Sequence, residues 1–366
     1  MPVAQLPQGR IPLAVFNLGN FFACKNFRSV SPTRPQERSG VSSASIPGGR
    51  SPHMTTSTTP DPVIRQLVDA MRTLAGPHPG FRPVHAKGLV CAGTFRASAE
   101  APRVTRAPHF AGPSVPTLVR FANSNGNPDV HDGLPNIRSM AVKFQLADGK
   151  SADILANSIE GFIARTPEEL LEFLRAQLPD PASGRPDPDG VPRFLASHPA
   201  GRAFVERLMK RPVPASYAQV TYHAEHAFRF TAADGSSRFG RYRFVPQAGE
   251  AWLSPDEGGK RTPGFLREEL EGRLRTGPVG FRLLLQVAEA GDPTDDVTAL
   301  WPEARPMIEL GRLELTGIST TSAADEQGLI FDPTNRTDGI DLSADPILLA
   351  RSAAYAISYE RRKKGE

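Results

Sequence analysis

The chain has 366 residues, 39% of them hydrophobic, enough apolar material for one large domain or two small ones. No run approaches the ~18 apolar residues of a membrane helix, which argues against a membrane span. The formal charge of +4 sits in the tail, where Arg10, Lys25, Arg28, Arg34, Arg38 and Arg50 face Glu37 alone. The body is therefore close to neutral, and no basic face for nucleic acid is expected. Cys24 and Cys91 are the only cysteines, one in the tail and one in the body. That rules out a disulfide framework and fits a reducing, cytoplasmic location.

Residues 1–60 are rich in Ser, Thr, Pro and Arg without a long periodic segment, so they read as disordered. A true start at Met54 explains them equally well. The body, 61–366, is expected to form one domain. Asp61 and Pro62 make a good helix cap and first position. Val63, Ile64, Leu67, Val68, Met71 and Leu74 then recur at helical spacing up to Gly76 and Pro77. From Gly80 the period becomes two. Strands are expected at 89–96, 117–121, 140–144, 217–230, 237–245, 279–288 and 308–315. Helices are expected at 167–177, at 192–210 with a break at Pro199, at 263–276 and at 345–362. Antiparallel strands with interspersed helices make an α+β fold around a barrel or a large sheet.

Two features suggest chemistry. Arg351 and Tyr355 lie four apart on the last helix and so share a face. A guanidinium beside a phenol favours its charged form, and a tyrosinate is a known haem-iron ligand. Taken alone, though, such a pair is more often an ordinary helix face. His85, in the segment GFRPVHAKG at 80–88, is likewise more often a hydrogen-bonded loop residue when it stands alone.

The surrounding motifs change that weighting. VHAKG resembles the distal-histidine motif of the haem catalases, and Arg82 falls where that family places an arginine for a haem propionate. TLVRFANSNGNPD at 117–129 resembles the strand and loop whose arginine, here Arg120, meets the second propionate side. NIRSMAVKF at 136–144 resembles another catalase strand, with AVKF identical. DILANSIEGFIAR at 153–165 resembles the segment with the distal asparagine, here Asn157, and a phenylalanine against the haem, here Phe162. FDPTNRTDGIDLSADPILLARSAAY at 331–355 follows the family pattern through Arg351 to Tyr355.

The resemblance implies an antiparallel β-barrel of the haem catalase type with flanking helices. It implies haem b as cofactor, with Tyr355 as iron ligand supported by Arg351. Arg82 and Arg120 would partner the propionates, since an apolar pocket cannot accept unpaired anions. Val84 and Phe162 would be apolar walls. His85 would pass the peroxide proton between oxygens and Asn157 would orient the peroxide without adding charge.

Departures from the catalase pattern refine the expectation. Ala122 stands where catalases generally carry a serine near the distal histidine, so the imidazole loses a hydroxyl that orients it. Ala-Ile-Ser follows Tyr355, and the chain ends eleven residues beyond it, leaving no room for a C-terminal helical domain. These features resemble the shorter catalase-related peroxidases. The implied partners are hydrogen peroxide and a small organic electron donor, with weak or no dismutation and a homo-oligomer left open. Two alternatives are rearrangement of fatty-acid hydroperoxides, which needs an apolar channel lined by residues such as Leu89 and Phe95, and a non-catalytic haem carrier or sensor. The HxxH of His223 and His226 is set aside as a metal site, because on a strand the two would face opposite ways.

Overall fold

The computed structural model describes residues 61–319, 326 and 328–365. The expectations for the tail, including Cys24 and Met54, lie outside the described residues. Helix α1 (Pro62–Ala75) starts where expected: the Asp61 carboxylate caps the Val63 amide at 2.8 Å, and Gly76 takes a positive φ of 87° at the end. Ile64, Leu67, Val68 and Leu74 are buried along one face. Each contributes on the order of 1.5–3 kcal/mol of burial.

Strands β1 (Gly88–Ala97), β2 (Val115–Asn123), β3 (Arg138–Gln145) and β4 (Ser151–Asn157) follow as an antiparallel run. Next come α2 (Pro167–Arg175), α3 (Gly190–Ser197), α4 (Pro199–Met209), β5 (Val213–Pro214), β6 (Tyr222–His223), β7 (Phe228–Thr231), β8 (Ser237–Pro246) and β9 (Trp252–Leu253). The chain ends with α5 (Pro255–Gly259), α6 (Phe265–Thr276), β10 (Val279–Val287), β11 (Met307–Ile318), β12 (Ile340–Leu342) and α7 (Pro346–Lys363). The predicted break at Pro199 is present and separates α3 from α4.

Strand β8 closes the barrel, since one edge pairs with β6 and the other with β10, and the order continues through β11, β1, β2, β3 and β4 back to β6. The result is an eight-stranded antiparallel barrel, with β7 and β12 added at its side. The stretch at 217–230 is not the single strand its apolar residues suggested. Tyr217 and Tyr222 turn into the core and the tyrosine hydroxyl of Tyr222 donates to the Tyr217 carbonyl at 2.9 Å. Only Tyr222–His223 and Phe228–Thr231 pair, and the chain between them carries Glu225 and His226 towards α7.

Aromatic rings fill the barrel. Phe95 meets Phe144 edge-on at 5.2 Å and Phe110 at 5.7 Å, and Phe121 stacks with Tyr217 at 5.2 Å. The barrel interior is thus a packed core, with Cys91 buried in it. A second apolar cluster joins α1, α2, α3, α4 and α7. A ligand cavity is therefore left to the outer face of the barrel, between its wall and the helices.

Three histidines, His109 fully buried and His85 and His223 half-buried, should make the fold acid-sensitive. Burial lowers His85, His109 and His223 to about 3, with added repulsion from arginines at His85 and His223. The unfolded chain takes up protons near pH ~6.5 that the folded chain refuses until about pH 3. Stability should therefore fall progressively as pH drops through that window. In urea unfolding at stepped pH, His109→Phe, a ring exchange between Phe110 and Phe144, should flatten the slope by roughly 1 kcal/mol per pH unit.

Candidate active site

All eight residues singled out from the sequence line one cavity of about 320 Å³: Arg82, Val84, His85, Arg120, Asn157, Phe162, Arg351 and Tyr355. The barrel wall supplies two rows on the outer faces of β2, β3 and β4. Register places Ala122, Ser139 and Asn157 in one row and Arg120, Ala141 and Leu155 in the next. Helices α1, α2, α4 and α7 supply the facing wall, mostly apolar through residues such as Leu67, Met71, Phe173 and Leu208.

His85 lies on the loop before β1 with φ 61°, the only positive φ outside glycine among the described residues. That region is costly for a side chain bearing a Cβ, so neighbours must impose it. Its carbonyl accepts from Arg120 Nη2 at 2.6 Å, and the next amide, Ala86, donates to the Asn125 carbonyl at 3.0 Å. Arg120 can reach under the loop because of Gly88, where a Cβ would meet Arg120 Nη2 at 2.6 Å. Burial, then the charges of Arg120 and Arg351, hold the imidazole down at about 3. The ring is neutral at pH 7. The hydroxyl missing at Ala122 is supplied by the residue opposite it, as Ser139 Oγ lies 3.1 Å from His85 Nδ1.

At one edge of the cavity three guanidinium groups gather around one carboxylate. Arg82 Nη1 donates to Glu326 Oε1 at 2.6 Å, Arg120 Nε donates to Glu326 Oε2 at 2.7 Å, and Arg120 Nη2 makes a further short contact to the same carboxylate. Arg362 lines the cavity as well, and Glu326 acts on its charge favourably while Arg120 opposes it. Burial, then Arg120, push Arg82 well below its ordinary value. With one carboxylate among three cations, two positive charges remain without a side-chain anion among the described residues. The cradle suits a ligand with two carboxylates, and Glu326 already shows how a carboxylate seats there.

Tyr355 lies on α7, where its hydroxyl oxygen accepts from Arg351 Nη2 at 2.6 Å. Burial by itself lowers Arg351, but Tyr355 and then Glu225 outweigh it and hold the guanidinium above its ordinary value. Arg351 Nη1 also donates to His226 Nε2 at 2.9 Å, and His226 Nδ1 contacts Asp345 Oδ2 at 2.7 Å. A guanidinium cannot accept, so the His226 proton sits on Nδ1 and is given to Asp345. The other oxygen of Asp345 caps α7 at Ile347 and Leu348. Glu225 bridges the two sides, taking a short hydrogen bond from Asn157 Nδ2 and lying 3.5 Å from Arg351.

Sequence reasoning missed Ser139, Glu225, His226, Glu326, Asp345 and Arg362. Arg362 was readable, since it lies seven residues beyond Tyr355 and returns to its helix face. His226 was set aside with His223, yet both its ring nitrogens are engaged in the cavity network. Leu89 and Phe95 were expected to line an apolar channel for a hydroperoxide. They point instead into the barrel core, because the inward face of β1 carries them.

The closed barrel, the covering helices and a cavity set with a tyrosine, four arginines and a histidine define a β-barrel protein with a ligand pocket on its outer wall, suited to a carboxylate-bearing ligand. A catalase family model matches residues 66–365, and the chain belongs to the catalase family. A protein named catalase-related peroxidase from Mycolicibacterium paratuberculosis is 39% identical over 310 residues, spanning 84% of this chain and 96% of that protein. One with the same name from Synechococcus elongatus is 34% identical, spanning 85% and 90%. The structure of a bacterial catalase shares the fold, with a TM-score of 0.70 at 24% identity over 85% of this chain and 64% of that one. The family implies haem, and the cavity fits it: apolar walls, an arginine cradle for carboxylates, and a phenol oxygen held by a guanidinium.

Glu326→Gln should therefore destabilise the haem-free protein by roughly 2 kcal/mol, because Arg82 and Arg120 lose their buried counter-charge. The haem-loaded protein should lose less, since added carboxylates return that charge. Paired melting curves of the two forms measure the difference.

Proposed function

We propose that this chain is a haem peroxidase that reduces hydrogen peroxide with a small organic electron donor and dismutates peroxide weakly or not at all. The observation that carries this reading is the convergence of His85 and Asn157 with the Arg351–Tyr355 pair around one cavity. The preference for peroxidase over catalase is supported by the near full-length match to two relatives named catalase-related peroxidase. The region from 61 to 366 would act as one unit, and a reduced, buried Cys91 suits the cytoplasm. No helix among the described residues is long and apolar enough to cross a membrane.

Haem b would be held by Tyr355 at the iron, by Arg82, Arg120 and Arg362 at its carboxylates, and by Val84 and Phe162 against the ring. When bound it supplies the redox chemistry that no side chain here provides. The chain's own part is positioning and proton transfer. Neutral His85 takes the proton of one peroxide oxygen and returns it to the other, so that water can leave. Asn157 offers its carboxamide oxygen to orient the peroxide, because its nitrogen is held by Glu225. On the other side Arg351 keeps the Tyr355 oxygen an acceptor, and Asp345 and His226 hold Arg351 in place. The apolar helix wall would keep water from the site.

Tyr355→Phe should abolish the high-spin ferric spectrum of the purified protein, and a colourless wild type after haem-supplemented expression would end the reading. His85→Ala should keep haem and lose peroxide turnover by about a hundredfold or more; a variant that keeps turnover would mark a carrier or sensor. Rapid oxygen release from peroxide alone, unchanged by a phenolic donor, would contradict the peroxidase assignment. Because His85 stays neutral down to about 3, kcat/KM for peroxide should hold level from pH 7.5 to about 5, with no acid limb near the ~6.5 of a free histidine.

A further inference from the structure

We infer that Ser139 is the positioning residue of His85: its hydroxyl fixes the Nδ1–H tautomer and leaves Nε2 as the nitrogen that takes the peroxide proton. The inference rests on the reading of His85 as the proton carrier and adds the group that orients it.

Four observations carry it. Ser139 Oγ is 3.1 Å from His85 Nδ1 and is the only side chain hydrogen-bonded to that ring among the described residues. The same hydroxyl has an acceptor for its own proton, the Ala122 carbonyl at 3.5 Å. With its proton directed there, the oxygen accepts from Nδ1–H, which selects the tautomer. Ser139 is also placed by register between Ala122 and Asn157, so one strand position sets the hydroxyl beside both residues that face the peroxide. Finally, His85 sits on a loop with a positive φ, whereas Ser139 belongs to a barrel strand paired on both sides, with Ala122 and Asn157. A ring on a loop gains its direction from the rigid element it is bonded to.

The chemistry of a hydroxyl suits the task. A carboxylate at Nδ1 would favour the imidazolium and remove the free base, whereas a neutral hydroxyl orients the ring and leaves it uncharged. Burial and the nearby arginines act in the same direction. Ala122, directly opposite, has no polar side chain. The hydroxyl is thus supplied from β3 alone, and moving it across the register pair is a direct test.

Holoenzyme variants Ser139→Ala, Ser139→Thr and the double variant Ser139→Ala/Ala122→Ser test this. Ser139→Ala should lower kcat/KM for hydrogen peroxide by about tenfold or more, and slow cyanide association by a similar factor, since hydrogen cyanide must also give up a proton on binding. KM for the electron donor should not move. Ser139→Thr and the double variant should recover both rates, because each restores a hydroxyl at Nδ1. Ser139→Ala with both rates within about twofold of wild type would overturn the inference, as would loss that neither hydroxyl-bearing variant repairs. The 15N spectrum of His85 in haem-free wild type reads the tautomer without any variant: an Nδ1–H signature supports the inference and an Nε2–H signature overturns it. Peroxide turnover retained by His85→Ala would instead sink the reading of His85 itself, so the two failures are separable.

Discussion

The guanidinium of Arg120 ties together three parts of the cavity that the sequence keeps far apart. It rises from the barrel wall, passes beneath Gly88, holds the carbonyl of the strained residue His85 and grips Glu326, 206 residues away. A positive φ at a histidine costs of order 1–3 kcal/mol and persists only where its surroundings impose it. Arg120 is the main agent of that imposition. The same charge helps keep the imidazole neutral and prepares the edge of the cavity for an anion. The position of His85, its protonation and the charge at the cavity edge therefore depend on one side chain, and a change there would alter all three together.

The barrel explains why the site is built on an outer wall. Eight strands enclose so little space that side chains fill it, among them Phe95, Phe121, Phe144, Phe244 and Phe281. What the barrel offers a ligand is the stiffness of its exterior, where β2, β3 and β4 present small residues, Ala122, Ser139 and Ala141, in register. Small side chains there leave room for a flat ligand and let His85 and Asn157 approach it. The helices complete the pocket with apolar surface and, through α7, bring Tyr355 to face the wall.

Much of this was legible in the sequence because each motif is local. Gly80 to Gly88, the AVKF strand and the Arg351–Tyr355 spacing each occupy a few residues, and helical or strand period tells which way they face. Most strand and helix positions were readable for the same reason, but 217–230, where aromatic content suggested one strand, became two short ones through tertiary packing, and β4 (Ser151–Asn157), a barrel strand, was not expected at all. Partners contributed from afar were not legible. Glu326 meets Arg82 and Arg120 across more than 200 residues, Asp345 reaches His226 across 119, and Ser139 meets His85 only because strand register puts it opposite Ala122. Nothing in the local composition of those segments marks them.

The proximal chain from Asp345 through His226 and Arg351 to Tyr355 shows how the fold joins stability to the proposed chemistry. One oxygen of Asp345 starts α7, and the other receives the His226 proton. The helix that carries Tyr355 is therefore begun by the same carboxylate that anchors its guanidinium partner. Because His226 accepts from Arg351 on its other nitrogen, the guanidinium is held from behind while it faces the phenol. A helix rotated by one residue would move Arg351 and Tyr355 by about 100° together and break both contacts. The capping bond and the ion-supported phenol thus constrain the same rotation, so an orientation that suits the proposed iron ligation is also the one in which α7 is best begun.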